Sequence, residues 1–251
     1  MIRMVCSLLL VLGVLCHPAL ASDDDVTIRP LVDGVWLHTS GHTFDDGTHY
    51  TANGLIIRDG DHLVLIDSAW GDAKTAMLLD EIQSAIGLPV HMAVATHSHE
   101  DRAAGANVMK ARGIRYYASA TTRALIAERG GAAPEYMLDL PAEAGATVKF
   151  GPAEILYPGT AHTADNLIVW FGAQNLLFGG CAVREASSQS LGYFKEGDPA
   201  TWGGAMRLAK AAYSDAQIVV PGHGEVGDIS LLDHTAALAA AHMAQVSSEK
   251  P

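Results

Sequence analysis

The stretch ATHSHEDRAAG, residues 95–105, concentrates ionisable side chains in an otherwise apolar part of the chain. His97, His99 and Asp101 occupy alternate positions, directly after PVHMAVATH, an apolar segment typical of a short buried strand. Residues two apart in extended backbone point to the same side. The spacing therefore predicts that the two imidazoles bind one metal ion just beyond the end of a strand.

The segments around this stretch alternate between strand and helix patterns. A hairpin that turns at Asp59-Gly60 is predicted for the segment NGLIIRDGDHLVLIDSAWG. A helix is predicted for residues 72–87, DAKTAMLLDEIQSAIG, with Asp72 as its cap and Gly87 at its end. Another helix is expected from Arg102 to Gly113. The order of elements predicts an α/β fold with two similar halves, each a sheet with helices on one side, packed sheet against sheet.

Further residues of types that commonly bind metal ions follow other predicted strands. They are His162 in GTAHTADN, Cys181 in FGGCAVRE and His223 in VPGHGE. Side chains at strand ends on a rigid sheet can converge in one cleft. Three imidazoles with one open position suit a catalytic zinc ion, while a carboxylate, a thiolate and a fourth imidazole supply a second, softer zinc site.

The first 21 residues, MIRMVCSLLLVLGVLCHPALA, combine a basic Arg3, an apolar run and a small-residue end. This pattern predicts a secretory signal peptide that is cleaved after Ala21 and is too short to anchor the protein in a membrane. We therefore expect residues 22–251 to form one exported domain in the periplasm, with no membrane anchor.

Loss of the signal peptide removes Cys6 and Cys16, which leaves Cys181 alone in a compartment that oxidises thiols. Cys181 is either a buried structural cysteine or a metal-bound thiolate.

The charge of the chain argues against nucleic acid as a partner. Its 251 residues include 16 Lys and Arg against 28 Asp and Glu, a formal net charge of −12, and no basic cluster is visible. A protein that neutralises phosphates needs a basic face. We interpret the acidity as a solubility property.

Taken together, THSHEDRAAG, AHTADN, GGCAVRE and VPGHG resemble the motifs of the metallo-β-lactamases of subclass B1. The resemblance covers nearly all of the predicted mature chain, and YTANGLIIRDGDHLVLIDSAWG is similar to the VIM-type branch. It implies a four-layer αβ/βα sandwich of two packed mixed β-sheets flanked by helices. It also implies a monomer with two zinc ions that hydrolyses penicillins, cephalosporins and carbapenems and so confers antibiotic resistance.

The resemblance also assigns ligands to the two zinc ions. The first ion would take three histidines and the second an aspartate, a cysteine and a histidine: His97, His99 and His162, then Asp101, Cys181 and His223. Asp101 is expected to have a catalytic role as well. Hydroxide between the ions would attack the lactam carbonyl, so no serine nucleophile or covalent acyl-enzyme is expected.

Three more residues are expected to support this chemistry. Arg102 either stabilises Asp101 and Cys181 from behind or forms a surface ion pair, and Asp67 either orients a ligand loop or caps the turn after it. Arg184 is expected to bind the substrate carboxylate through two charge-assisted hydrogen bonds, the alternative being a solvated loop arginine.

Residues 39–50 resemble a flexible flap near the substrate, where Phe44 and Tyr50 either cover an apolar substituent or make ordinary loop contacts. One position departs from the family pattern. Many members have an asparagine that helps to bind the carbonyl oxygen where this chain has Tyr193, so Tyr193 is left out of the predicted site.

Two alternatives remain open at this point. The first is a glyoxalase-II-like thioesterase, or a related phosphodiesterase or lactonase. Those relatives usually have a histidine directly after the motif aspartate and a bridging aspartate in place of Cys181, whereas here Arg102 follows Asp101. The second is a non-catalytic periplasmic zinc-binding protein, which would have a closed and inert site.

Overall fold

The computed structural model describes residues 26–248, so the predicted signal peptide lies outside the described residues. Within this range the chain forms a seven-stranded sheet and a five-stranded sheet. In spatial order the first sheet contains β1 (Val26–Val32), β2 (Val35–Thr43), β3 (His49–Asp59), β4 (His62–Ile66), β5 (Val90–Val94), β6 (Arg115–Ala118) and β7 (Tyr136–Met137). The second contains β12 (Ile218–Pro221), β11 (Leu176–Gly180), β10 (Ile168–Phe171), β9 (Ala153–Leu156) and β8 (Thr147–Phe150).

Both sheets are mixed. Strands β1 to β4 pair antiparallel and β4 to β7 pair parallel, while in the second sheet β11 and β12 pair parallel and the other neighbours antiparallel. The predicted β3–β4 hairpin is confirmed, because Asp59 pairs with His62 across a two-residue turn. Gly60 in that turn has a φ of 61°, a conformation that glycine adopts without steric cost.

The described part of the chain has six α-helices, which flank the sheets, and one short 3-10 helix, Gly172–Gln174. The α-helices are α1 (Gly71–Ala85), α2 (Glu100–Ala103), α3 (Ala106–Ala111), α4 (Ala120–Glu128), α5 (Pro199–Ala212) and α6 (Ser230–Ser248). None of them is both long and apolar enough to cross a membrane.

The core has three layers of apolar side chains. Leu55 and Ile57 of β3 point between the sheets and pack with Val169 and Phe178, whereas Ile56 points to the other face and packs under the helices. A third cluster joins the second sheet to α5 and α6. The predicted sandwich of two packed mixed sheets flanked by helices is therefore confirmed.

Two local predictions were wrong. Instead of one helix from Arg102 to Gly113, the chain forms α2 and α3, separated near Gly105. A Cβ at Gly105 would lie 2.4 Å from Thr75 Oγ1, so this turn packs directly against α1. Asp72 does not cap α1, which begins one residue earlier; its carboxylate accepts a hydrogen bond from Asn107 Nδ2 at 2.8 Å.

Candidate metal centre

The six predicted ligands converge at one edge of the sandwich. His97, His99 and Asp101 follow β5 of the first sheet. The other three follow strands of the second sheet: His162 after β9, Cys181 after β11 and His223 after β12. All six lie on turns or at the first residues of a short helix, where the backbone is free to aim side chains into a common cleft.

Three imidazoles form the first group. His97 Nε2 lies 3.1 Å from His99 Nδ1, and His162 Nε2 lies 3.1 Å from the same nitrogen. Tetrahedral zinc with bonds of 2.0–2.1 Å separates its nitrogen ligands by about 3.3 Å. Two of the three nitrogen pairs therefore have close to the spacing of a zinc site, and all three nitrogens lie within 4.8 Å of one another.

The second group combines three donor types. Cys181 Sγ lies 3.5 Å from Asp101 Oδ2 and 3.3 Å from His223 Nε2, and the last two atoms are 3.4 Å apart. Ligand atoms of His97, Asp101 and Cys181 also lie within 4.8 Å of one another. The two groups are therefore adjacent, and sulfur, nitrogen and carboxylate oxygen together suit zinc.

Burial and neighbouring charges favour the neutral form of three of these imidazoles, those of His97, His162 and His223. Burial lowers the pKa of His162 to about 3 and that of His223 to about 4, with neighbouring cations adding to the effect, and it lowers the pKa of His97 well below 6.5. Burial by itself would raise the pKa of Asp101, but Arg102 and the nearby histidines lower it to about 2. Near neutral pH these residues thus have lone pairs free to bind a cation.

Cys181 differs from the other ligands because burial raises the pKa of its thiol, even though Arg102 opposes the shift. A buried thiol of this kind keeps its proton until a cation replaces it, so metal binding would release a proton.

Arg102 is completely buried, so the alternative of a surface ion pair is wrong. Its Nε lies 2.7 Å from Asp101 Oδ2, and its NH2 donates to Cys181 Sγ at 3.0 Å and to Gly222 O at 2.7 Å. The guanidinium also lies 3.3 Å from Asp67 Oδ2. Arg102 thus contacts two members of the second ligand group, Asp101 and Cys181, from the protein interior.

Asp67 is bonded to the start of the ligand loop that follows β5. Its two carboxylate oxygens accept hydrogen bonds from Thr96 N at 2.7 Å and Thr96 Oγ1 at 2.9 Å, and Thr96 directly precedes His97. Burial raises the pKa of Asp67 to about 7, although Arg102 and Thr96 act in the opposite direction. The bonding pattern favours the loop-orienting interpretation of this residue.

Two further contacts were not predicted from the sequence. His99 Nε2 lies 2.8 Å from Glu196 Oε2, which also lies 3.0 Å from Arg129 NH1, and His223 Nδ1 lies 2.8 Å from Thr51 O. Hydrogen bonds of this kind fix the ring direction of a metal-binding histidine. Glu196 lies in no motif that points to this role. Thr51 contributes only its backbone carbonyl, a group that every residue has, so its role could not be predicted from its residue type.

Gly222 permits the close approach of the Cys181 and His223 loops. Its amide donates to Gly180 O at 2.7 Å, and a Cβ at this position would lie 2.5 Å from Cys181 N and 2.7 Å from Cys181 Sγ. A side chain at residue 222 would therefore displace the thiol.

Arg184 and the exposed rings of Tyr50 and Tyr193 lie near the ligand groups. The Arg184 guanidinium lies against Gly192, and its charge contributes to lowering the pKa of His223. The ring of Tyr193 is 5.6 Å from that of His99, and the ring of Tyr50 is 6.4 Å from that of His223.

Residues 39–50, predicted to be a flap, form the paired end of the β2–β3 hairpin, whose ladder continues to Thr43 and His49. Near the tip, the ring of His42 stacks on Trp70 at 4.9 Å, and Phe44 lies edge-on 6.1 Å from Tyr50. Phe44 and Tyr50 are both exposed, and Tyr50 connects this group of rings to His223.

Two packed mixed sheets with adjacent histidine, carboxylate and thiol donors at one edge define a candidate metalloenzyme. The sequence profile of the Metallo-beta-lactamase superfamily matches residues 47–223. The chain therefore belongs to the metallo-β-lactamase superfamily.

Individual relatives agree with this family. The "Metallo-beta-lactamase type 2" of Bacillus cereus is 36% identical over 212 residues, which cover 84% of this chain and 81% of that protein. A metallo-β-lactamase from Hirschia baltica has a TM-score of 0.83 at 34% identity, over 86% of this chain and 98% of its own. The mono-zinc form of the metallo-β-lactamase FIM-1 from Pseudomonas aeruginosa has a TM-score of 0.83 at 33% identity, over 88% of this chain and 97% of its own.

Proposed function

We propose that the protein is a zinc-dependent β-lactamase of subclass B1, similar to the VIM-type branch, that opens the amide of penicillins, cephalosporins and carbapenems and so confers antibiotic resistance. The observation that carries this proposal is the pair of adjacent ligand groups, in which three nitrogens lie beside a carboxylate, a thiol and a fourth imidazole. The relatives named as metallo-β-lactamases support the reaction type.

In this proposal the chain holds two zinc ions. His97, His99 and His162 hold the first, while Asp101, Cys181 and His223 hold the second. Bound zinc lowers the pKa of water to about 7 and polarises carbonyl groups.

The remaining roles belong to side chains around the ligands. The anionic carboxylate of Asp101, held by Arg102, orients water in the cleft in addition to binding metal. Asp67 holds the loop of His97 through Thr96. Arg184 binds the substrate carboxylate; the support for this role is a guanidinium that lies against Gly192, close enough for its charge to act on His223.

We also propose that residues 1–21 direct export to the periplasm and that residues 22–251 act there as a single-domain monomer. The apolar run after Arg3 supports the export signal.

The test is turnover by purified, zinc-loaded mature protein. A penicillin, a carbapenem, a thioester and a phosphodiester are offered with and without a chelator, and His162→Ala serves as a matched variant with an impaired ligand set. We expect hydrolysis of both β-lactams that the chelator and the substitution abolish. Cleavage of the thioester or phosphodiester without β-lactam turnover would contradict the proposal, as would zinc binding without any turnover.

A further inference from the structure

His99, His162 and His223 differ in how their second ring nitrogen is bonded. That nitrogen lies 2.8 Å from Glu196 Oε2 in His99 and 2.8 Å from Thr51 O in His223. In His162 it is Nδ1, which is buried and has no hydrogen-bond partner among residues 26–248. The ring of His162 therefore depends on its backbone and its packing for its direction.

The backbone around His162 is held by one buried side chain, Asn166. Its Oδ1 accepts hydrogen bonds from Ala161 N at 3.2 Å and Thr163 N at 3.1 Å, the residues on either side of His162. Its Nδ2 donates to Gly159 O at 3.0 Å. The loop between β9 and β10 has no regular structure of its own, so these bonds replace the ladder that a strand would supply.

A second buried asparagine does the same for His223. Asn53 of β3 reaches from the first sheet to the end of β12, where its Nδ2 donates to Pro221 O at 3.0 Å and to Gly224 O at 2.8 Å. Its backbone amide donates to Gly222 O at 2.8 Å. The backbone on both sides of His223 is therefore tied to one residue of the opposite sheet.

We propose that Asn166 and Asn53 are positioning residues, each specific for one metal position. Asn166 fixes His162 and hence the three-histidine position, and Asn53 fixes His223 and hence the Cys181 position. This inference rests on the proposed zinc ligands. A separation of the two effects is expected because the two side chains bond different ligand loops and share no partner.

The two asparagines rely mainly on different atoms of their side-chain amides. A backbone N–H only donates and a carbonyl only accepts, so the partners identify the oxygen and the nitrogen of each amide. Asn166 uses its oxygen twice and its NH₂ group once, whereas Asn53 uses only its NH₂ group, twice. Aspartate keeps the oxygen and lacks the NH₂ group, so it preserves two of the three side-chain bonds of Asn166 and neither of the two side-chain bonds of Asn53.

The experiment measures metal binding by the apo-protein, not turnover. Zn²⁺ affinity is determined by competition with a chromophoric chelator, and Co²⁺ titration separates the positions because a cobalt–thiolate charge-transfer band arises only at Cys181. We expect Asn166→Ala to lower affinity at the three-histidine position about 10- to 100-fold and to leave the thiolate band in place. Asn53→Ala should shift formation of the thiolate band to higher Co²⁺ by a similar factor.

Asparagine 107 provides the matched control, because it is exposed and bonds only to Asp72 within the described chain; Asn107→Ala should leave both affinities unchanged. Asn166→Asp should recover part of the affinity that Asn166→Ala loses, because it keeps the bonds to Ala161 N and Thr163 N and loses only the bond to Gly159 O. Asn53→Asp should bind at least as weakly as Asn53→Ala, because a carboxylate oxygen would then face two carbonyls.

Equal weakening of both metal positions by either alanine substitution would overturn the inference. If an alanine variant fails to fold, the two aspartate variants decide, and similar behaviour of Asn166→Asp and Asn53→Asp would overturn it as well. Failure of the proposed function is distinguishable, since a wild-type protein that binds two ions and hydrolyses no β-lactam contradicts that proposal alone.

Discussion

Arg102 NH2 donates to Cys181 Sγ across 3.0 Å, and both side chains are buried. This contact joins the loop after β5 in the first sheet to the loop after β11 in the second. A cation beside the sulfur favours the thiolate that metal binding requires, in opposition to the burial that raises the pKa of the thiol. Arg102 therefore offsets part of the cost of keeping this ligand in the interior.

Arg102→Lys should weaken metal binding at the Cys181 position about 10- to 100-fold. A lysine keeps the charge but has no planar fork that reaches Asp101, Cys181 and the backbone together. Zinc content after dialysis and the Co²⁺–thiolate band measure the effect. Arg112→Lys, at an exposed arginine paired with Asp80, is the control and should change neither value.

Cys181→Ser should weaken the second zinc ion much more than the first. A hydroxyl is a harder and poorly ionised ligand, and the three-histidine group does not include this sulfur. The zinc content measured after dialysis should fall from about two ions per chain toward one. Retention of both ions at wild-type affinity would show that Cys181 is only a core thiol.

Arg184→Ala should lower kcat/KM for a β-lactam by roughly 10- to 100-fold, since hydrogen bonds to charged groups contribute on the order of 1.5–3 kcal/mol. Most of the loss should appear in KM, because the carboxylate is bound in the ground and transition states alike. Arg184→Lys should recover part of it. A change of less than about twofold with zinc content intact would place the substrate anchor elsewhere.

Glu196→Ala should lower affinity at the three-histidine position by roughly 10-fold, because His99 Nε2 would lose the carboxylate that fixes its ring. Glu135→Ala, at an exposed glutamate near Lys110, is the matched control and should have no effect. Competition with a chelator gives both affinities. Unchanged binding in Glu196→Ala would mean that the ring of His99 is held by packing alone.

His38 should make stability fall in mild acid. It is buried against Gly54, with its Nε2 3.3 Å from Ile66 O, and burial lowers its pKa from 6.5 to about 4. Between these values the unfolded chain takes up a proton that the folded protein does not, so stability is full above pH 6.5 and is lost as the pH falls toward 4.

Between pH 7.5 and pH 5 the contribution from His38 is roughly 2 kcal/mol. Urea unfolding of the apo-protein at the two pH values measures it, with His38→Gln as the comparison. The variant should lose less stability than the wild type over this interval by about that amount. Equal losses would show that His38 is not responsible.

The sequence contained enough information for the ligand convergence and much less for its supports. The alternation of His97 and His99 and the strand-end positions of Cys181 and His223 are local patterns, and the structure brings these residues together. Glu196 reaches His99 across 97 residues, and Asn53 reaches Gly224 across 171. Such contacts depend on how the two sheets pack, which no local periodicity contains.

The misplaced elements have similar causes. Strand β1, which is absent from the predicted elements, contains Pro30, and proline is tolerated there because β1 is an edge strand. The break between α2 and α3 was missed because Gly105 contacts Thr75 of a different helix. In both cases tertiary position overrode the local signal.

Each proposed metal position draws ligands from loops of both sheets, and this division couples metal binding to the docking of the two halves. The first sheet alone offers His97, His99 and Asp101, which is an incomplete set for either position. The second sheet supplies His162 to one position and Cys181 and His223 to the other. Metal ions held at these positions would therefore favour the docked sandwich over its separated halves.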